Sequence, residues 1–267
     1  MDDDAELAPR PRERLEREVG ALIDRHDDAA DAAARVRAVR TRELTRCAMS
    51  DLIHGVDPRG HAIADATDAA LLGALAIAQR EDAKRWGSMR ARVVFVAMGR
   101  YGGRECSYAS DADVIAVHEA VGGASDSEAA ASATVIVNRV KNLLGSATSQ
   151  LGIVVDLDLR PEGKNGPMSR TLESHEEYAA RWASTWERQA AVRARPIGDS
   201  ELDERARALF ESMAYREVSE AEVRDIRLLK ARMENERLPR GSEPARHVKL
   251  GPGGLSDVEW TIQLIQM

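Results

Sequence analysis

Two aspartates one residue apart, Asp111 and Asp113, run into an apolar stretch, Val114-Ile115-Ala116-Val117, shortly after Gly99-Arg100-Tyr101-Gly102-Gly103-Arg104-Glu105. Side chains two apart on an extended backbone point the same way, so these carboxylates leave one face at a strand edge. Hard oxygen donors placed like this suit Mg2+ or Mn2+. The glycine pair permits close backbone approach, and the amides of Gly102 and Gly103, with Ser110, are expected to hold triphosphate oxygens beside the metals. A later run, Ile153 to Leu159, reads as a third strand with Asp156, Asp158 and Arg160 on one face and Val155, Leu157 and Leu159 on the other. A third carboxylate opposite an Asp-x-Asp pair is what two-metal phosphoryl or nucleotidyl transfer requires, one ion activating the nucleophile and the other stabilising the leaving group. Asp156 is assigned that place, and Asp158 stays open between ligand and solvated edge. Each piece alone has a bland reading: Gly-x-x-Gly-Gly is commonest in plain turns and Asp-x-Asp in caps. Their succession, strand, Gly-Gly, Asp-x-Asp, strand, helix, strand with Asp, is what points to chemistry.

The elements that must hold these groups follow from periodicity. Residues 1–90 read as a helical region: Leu15, Val19, Leu22 and Ile23 fall on one helical face, as do Leu71, Leu72, Leu75 and Ala78, with a looser stripe at Val36, Val39, Leu44 and Cys47. Residues 91–200 form the expected catalytic core. Its first strand is Val93-Val94-Phe95-Val96, its second Val114 to Val117, and Ile136, Val140, Leu143 and Leu144 mark a helix before the third. Helices are predicted over Tyr178 to Arg195, Asp203 to Tyr215 and Ser219 to Leu238, so 201–267 reads as a helical C-terminal region. Its last helix takes Ser256 as N-cap with Glu259 three residues on, a capping-box spacing, and carries Val258, Ile262 and Ile265 on one face. That apolar face runs to Met267 uncovered, which is the expectation for a segment cut from something longer. The fold class is therefore α+β, a mixed sheet flanked by helical segments.

With 267 residues, 43% hydrophobic and 31% charged, the chain can bury a sizeable core. No apolar run in the sequence approaches the roughly 20 residues that cross a bilayer. A net charge of −7 argues against the broad basic surface of a nucleic-acid binder. The acidic start, Met1-Asp2-Asp3-Asp4, resembles no leader peptide, so a cytoplasmic address with no membrane partner is expected. Cys47 and Cys106 have no metal-site spacing and are expected as free thiols.

Met98-Gly-Arg-Tyr-Gly-Gly-Arg-Glu-Cys-Ser-Tyr-Ala-Ser-Asp-Ala-Asp-Val114 resembles the signature of the bifunctional glutamine synthetase adenylyltransferase/adenylyl-removing enzymes, within the DNA polymerase β-like nucleotidyltransferase superfamily. Val155 to Gly163, Gly166-Pro-Met, Thr185 to Arg195 and Lys249 to Trp260 are similar to later blocks of that family, in order. The resemblance implies a polymerase β-like nucleotidyltransferase fold with Mg2+ or Mn2+ held by Asp111, Asp113 and Asp156. It implies ATP as substrate, a tyrosine of glutamine synthetase as acceptor, and a PII-type signalling protein as partner. Arg160, Arg193, Arg195 and Lys249 fall in the matched blocks and are implied phosphate-contacting or site-framing cations. Gln189 and Asp257 match the transferring half better than the removing half. The alternatives are the removing half, which uses phosphate as nucleophile, and an inactive module that only binds a partner.

Four readings lie outside the site. Trp182 and Trp186, with Tyr178, form an i, i+4 aromatic stripe expected to pack into a core. Glu259 is assigned to the capping box. The six histidines show no ligand spacing. Ala109 and Cys106-Ser107 stand where the family has glycine and Leu-Gly, so Ala109 would be strained if its φ were positive.

Overall fold

The computed structural model describes residues 7–55, 59–145, 152–238, 241 and 243–267. Two compact units divide the chain, 1–176 with 193–207, and 177–192 with 208–267.

Among the described residues the first unit holds the long helices α1 (Arg12–Arg25), α2 (Ala29–His54) and α3 (Gly60–Trp86) ahead of its sheet. Their ends are written locally. Pro11 precedes α1, the Asp28 carboxylate accepts the Asp31 N–H at the start of α2, and Gly87 leaves α3 in the left-handed conformation at φ 76°. Leu15, Val19 and Ile23 of α1 pack with Val36 and Val39 of α2 and Leu71, Leu75 and Ala78 of α3, as the periodicity predicts. Gly73 lets α3 approach closely, since a Cβ there would stand 2.5 Å from Val19 Cγ1. In contrast to the sequence reading, α3 is long and apolar enough to span a bilayer, but 72% of its most apolar stretch is buried inside the protein. Its all-round hydrophobicity marks a core helix. Truncating Leu71, which has no exposed surface, to Ala would cost about 2–5 kcal/mol.

The sheet follows in the order β3-β2-β1-β4, from β1 (Ala91–Ala97), β2 (Ala112–Ala120), β3 (Val155–Asp156) and β4 (Arg195–Pro196). β1 pairs antiparallel with both β2 and β4, and β3 pairs parallel with β2, so the sheet is mixed. α5 (Asp126–Leu144) connects β2 to β3, opening on a capping box between Ser125 and Glu128. Val93, Phe95, Ala97, Ala112, Val114, Ala116 and Val155 belong to the same core as the helices. Residues that alternate with them, Asp111, Asp113 and Asp156 included, occupy the opposite face. The α+β class with helices flanking a mixed sheet is the one the sequence predicts.

The third strand differs from its prediction. It ends at Asp156, and 158–160 turn, with Asp158 N–H donating to Asp156 Oδ1 at 2.7 Å. Asp158 and Arg160 therefore do not continue a face begun by Asp156; a local side-chain bond ends the strand that alternation alone would extend. The glycine stretch also holds a single helical turn, α4 (Gly99–Gly102), where only a loop was expected. Past the 3-10 turn at Gly163–Asn165, the predicted helix from Tyr178 to Arg195 is α6 (Leu172–Arg181), α7 (Thr185–Ala191) and then β4. Ser184 divides the two helices by forming a capping box with Glu187.

The second unit holds α7, α9 (Glu220–Glu236) and α10 (Leu255–Gln266), with a 3-10 turn at Pro244–Arg246 between α9 and α10, while α8 (Glu201–Ala214) starts in the first unit. Ser219 and Glu222 cap α9. Ser256 does not cap α10: the helix starts at Leu255 on Gly254, and the buried Ser256 hydroxyl donates to the Lys249 carbonyl at 2.6 Å. The capping role proposed for Glu259 falls with it. Trp182 is 73% exposed and Trp186 40%, so the aromatic stripe is not core. Val258, Ile262 and Ile265 are exposed, as their stripe predicted.

Candidate active site

The β2–β3 register sets Asp113 directly across from Asp156, and Asp111 stands two residues earlier on the same face. The Asp113 carboxyl is pushed up to about 6 by burial first, then by Asp156 and by Asp111. Burial leads, and the two neighbouring acids add to it in the same direction. Among the described residues no three acidic, His or Cys side chains close on a single point tightly enough to enclose a metal as they stand. Asp156 has one carboxylate oxygen turned onto the Asp158 amide. The donor chemistry nonetheless fits a divalent cation, since the three groups are hard oxygens whose mutual repulsion a 2+ charge would relieve.

Room beside Asp113 comes from a residue to which the motif reading gave no role. Gly99 sits at φ 54°, and a Cβ there would lie 3.1 Å from Asp113 Oδ2. Met98 N–H donates to the Asp113 carbonyl at 2.8 Å, which ties the start of the glycine turn to β2. A glycine just past the end of β1 was the available signal.

Gly102 and Gly103 do other work than expected. The Gly102 amide donates to Met98 O, the Gly103 amide to Gly99 O and the Ser110 amide to Ser107 O, so all three N–H groups already have acceptors within the chain. Gly102 must be glycine because a Cβ would stand 1.9 Å from Arg193 O and 2.6 Å from Ala97 O. The close approach that its sequence implied is made by the protein's own backbone. Gly103 has an ordinary right-handed conformation, and the left-handed position is Arg104, at φ 57°. Ala109 has no positive φ, so the departure from the family pattern there brings no backbone strain. The Ser110 hydroxyl accepts the Ser107 N–H at 2.8 Å and closes the loop before β2.

The cations are similarly occupied. Arg160, buried, donates to the carbonyls of Leu157, Gly166 and Lys164 and so fixes the loop after β3. Arg193 pairs with Glu105. Arg195 reaches Asp68 with two nitrogens, at 2.7 and 3.0 Å, and donates to Gly102 O at 3.2 Å. Burial acts to lower its pKa, and Asp68 more than reverses that, leaving it raised. Lys249 lies in the second unit, where its carbonyl accepts from Ser256. In the same unit Gln189 Nε2 donates to Gln263 Oε1 at 2.8 Å, and Asp257 accepts the Gly253 N–H and pairs with Lys230. Cys47 and Cys106 are free and buried. Among the histidines, His175 is buried and depressed to about 4, first by that burial and then by Arg170.

Residues 1–210 match the family model for glutamate-ammonia ligase adenylyltransferase. The chain belongs to this family. It is 45% identical over 98% of its length to a protein of Streptomyces coelicolor, 44% over its whole length to one of Cutibacterium acnes, and 42% over 92% to one of Mycobacterium marinum. Each of those is a bifunctional glutamine synthetase adenylyltransferase/adenylyl-removing enzyme. These alignments take in 28%, 26% and 25% of the relatives' length, so the chain spans about a quarter of them. For the glutamate-ammonia ligase adenylyltransferase family, the matched region contains all three aspartates and the glycine turn.

Proposed function

We propose that this chain transfers AMP from ATP to a tyrosine of glutamine synthetase. The reading rests on one observation above all, the parallel register that sets Asp113 against Asp156 with Asp111 on the same face, beside the gap left by Gly99. Family membership supplies the reaction class. Asp111, Asp113 and Asp156 would hold Mg2+ or Mn2+, which when bound supplies charge neutralisation for a triphosphate that three bare carboxylates would repel. The acceptor hydroxyl attacks the α-phosphorus in line; the new P–O bond forms as the bond to the β-phosphate breaks, and pyrophosphate leaves. The protein's part is positioning: the β2–β3 pair aligns the carboxylates and the glycine turn leaves room beside Asp113.

The relatives' two activities make the removing half the second reading. Two incubations separate them. The chain is mixed with α-labelled ATP, Mg2+ and unmodified glutamine synthetase, or with inorganic phosphate, Mg2+ and adenylylated glutamine synthetase. Label on glutamine synthetase in the first is the expected result. ADP formed in the second alone would assign the removing half, and no product in either would overturn both. Calorimetric titration with ATP adds a metal test: binding is expected in excess Mg2+ and lost in EDTA.

A further inference from the structure

Asp68 lies in the middle of α3, with no exposed surface, outside every motif that points to the site. A carboxylate taken that far from water is tolerated only where its partners are close and numerous. Tyr101 Oη donates to Asp68 Oδ1 at 2.6 Å, Arg195 reaches both carboxylate oxygens, and Arg12 Nη1 stands 3.1 Å from Oδ2. These partners come from three parts of the first unit, α1, the glycine turn and β4, and meet on α3.

What they hold is the turn. Tyr101 is the third residue of α4, fully buried, with its ring 5.5 Å from the Arg195 guanidinium carbon. Arg195 also donates to the carbonyls of Tyr101 and Gly102 at 3.4 and 3.2 Å. The last carbonyls of this one-turn helix are thus tied to a guanidinium that Asp68 orients, while its first residue, Gly99, borders Asp113. A four-residue helix cannot hold its own geometry, because nucleation fixes several dihedrals for one hydrogen bond. Its order must come from outside.

We infer that Asp68 is a positioning residue for the candidate site, acting through Tyr101 and Arg195 to hold the glycine turn at its distance from Asp113. The functional consequence rests on the proposed AMP transfer; the structural claim does not. On this view Arg195 works as a clamp on the turn rather than as a phosphate ligand.

The test uses the 267-residue chain, wild type and Asp68→Asn, Arg195→Lys and Tyr101→Phe, so that a folding failure in one variant leaves the others. Hydrogen exchange is measured for the amides of 101–105 and of β2. Exchange in the turn is expected to rise about tenfold or more in each folded variant, with β2 unchanged, because local opening is released without global unfolding. Unaltered exchange in the turn would overturn the inference. In AMP transfer, kcat/KM for ATP is expected to fall about tenfold with KM for glutamine synthetase unchanged, and Asp68→Asn combined with Arg195→Lys to lose little more than either alone. A lowered melting temperature with unchanged kinetics per folded molecule, or fully additive losses, would show mere structural support and overturn it. If the wild type transfers nothing, the functional reading fails, and exchange in the turn alone still decides whether Asp68 holds it.

Discussion

Two acidic groups border the glycine turn, Asp68 at Tyr101 and Asp113 at Gly99, and the protein treats them in opposite ways. Asp68 is fully buried and meets two arginines and a tyrosine hydroxyl. Asp113 is half-buried and has other carboxylates for neighbours, and burial first, then Asp156 and Asp111, push its carboxyl up to about 6. Burial alone would penalise Asp68 far more. The chain's own cations and hydroxyl compensate the charge of Asp68, whereas around Asp113 the neighbours are acids, which is where the proposed function places a cation. An acidic group with its partners supplied by the chain is architecture; one without them, at a strand end beside a gap, is what the proposed function takes as a binding group.

The comparison is broken most severely by removing the carboxylates. Asp113→Asn or Asp111→Asn should lower AMP transfer on the order of a thousandfold, the equivalent of several kcal/mol of charge stabilisation, with far-UV circular dichroism unchanged. Transfer within tenfold of wild type would remove the metal-ligand assignment. In contrast, Asp68→Ala takes from Arg12 and Arg195 the buried acid they share and should destabilise the first unit by about 3–5 kcal/mol, measured by urea unfolding. A loss below about 1 kcal/mol would mean that water replaces the carboxylate at little cost.

A pH series sharpens the contrast. Because the folded-state pKa of Asp113 is raised, its contribution to stability is fully present below about 4 and is lost as pH rises through about 6. Without divalent metal, Asp113→Asn should therefore be more stable than wild type above pH 6, by about 1 kcal/mol after allowance for solvent screening, and the gain should vanish near pH 4. Excess Mg2+ should reverse the order by stabilising only the wild type. Equal pH profiles for the two proteins would show that neither burial nor the neighbouring acids raise the Asp113 carboxyl. The smallest effect belongs to Asp158, which is exposed and pairs with Lys164 at 3.2 Å. Asp158→Asn should change transfer less than about twofold and stability by under about 0.5 kcal/mol. A loss matching that of Asp156→Asn would return Asp158 to the metal site.

The same contrast separates what periodicity could reach from what it could not. Asp111, Asp113 and Asp156 were legible because strand alternation and a β-α-β succession are local properties, and their faces follow from a period of two. The end of β3 was not, since a side-chain bond from Asp156 to the Asp158 amide outweighed the apolar pattern. Arg160, Arg193 and Arg195 were found as residues near the site, but their partners are carbonyls and acids that the fold supplies. Asp68 gave no signal: an acid within an alanine-rich helix is ordinarily a solvated position. Gly99 gave a faint one, overshadowed by the Gly102-Gly103 pair.

By itself the sequence determined the helical stripes, the strands that enter and leave the glycine turn, the one-sided placement of Asp111 and Asp113, and membership of a nucleotidyl-transferring family. These are fixed by short-range geometry and by residue order, which the chain carries whether folded or not. Tertiary structure decided which charges are spent and which are left open. Whether a carboxylate is neutralised depends on groups from distant positions arriving within a few ångströms, as Arg12, Tyr101 and Arg195 do at Asp68, and Coulomb energies in a poorly solvated interior change steeply over that range.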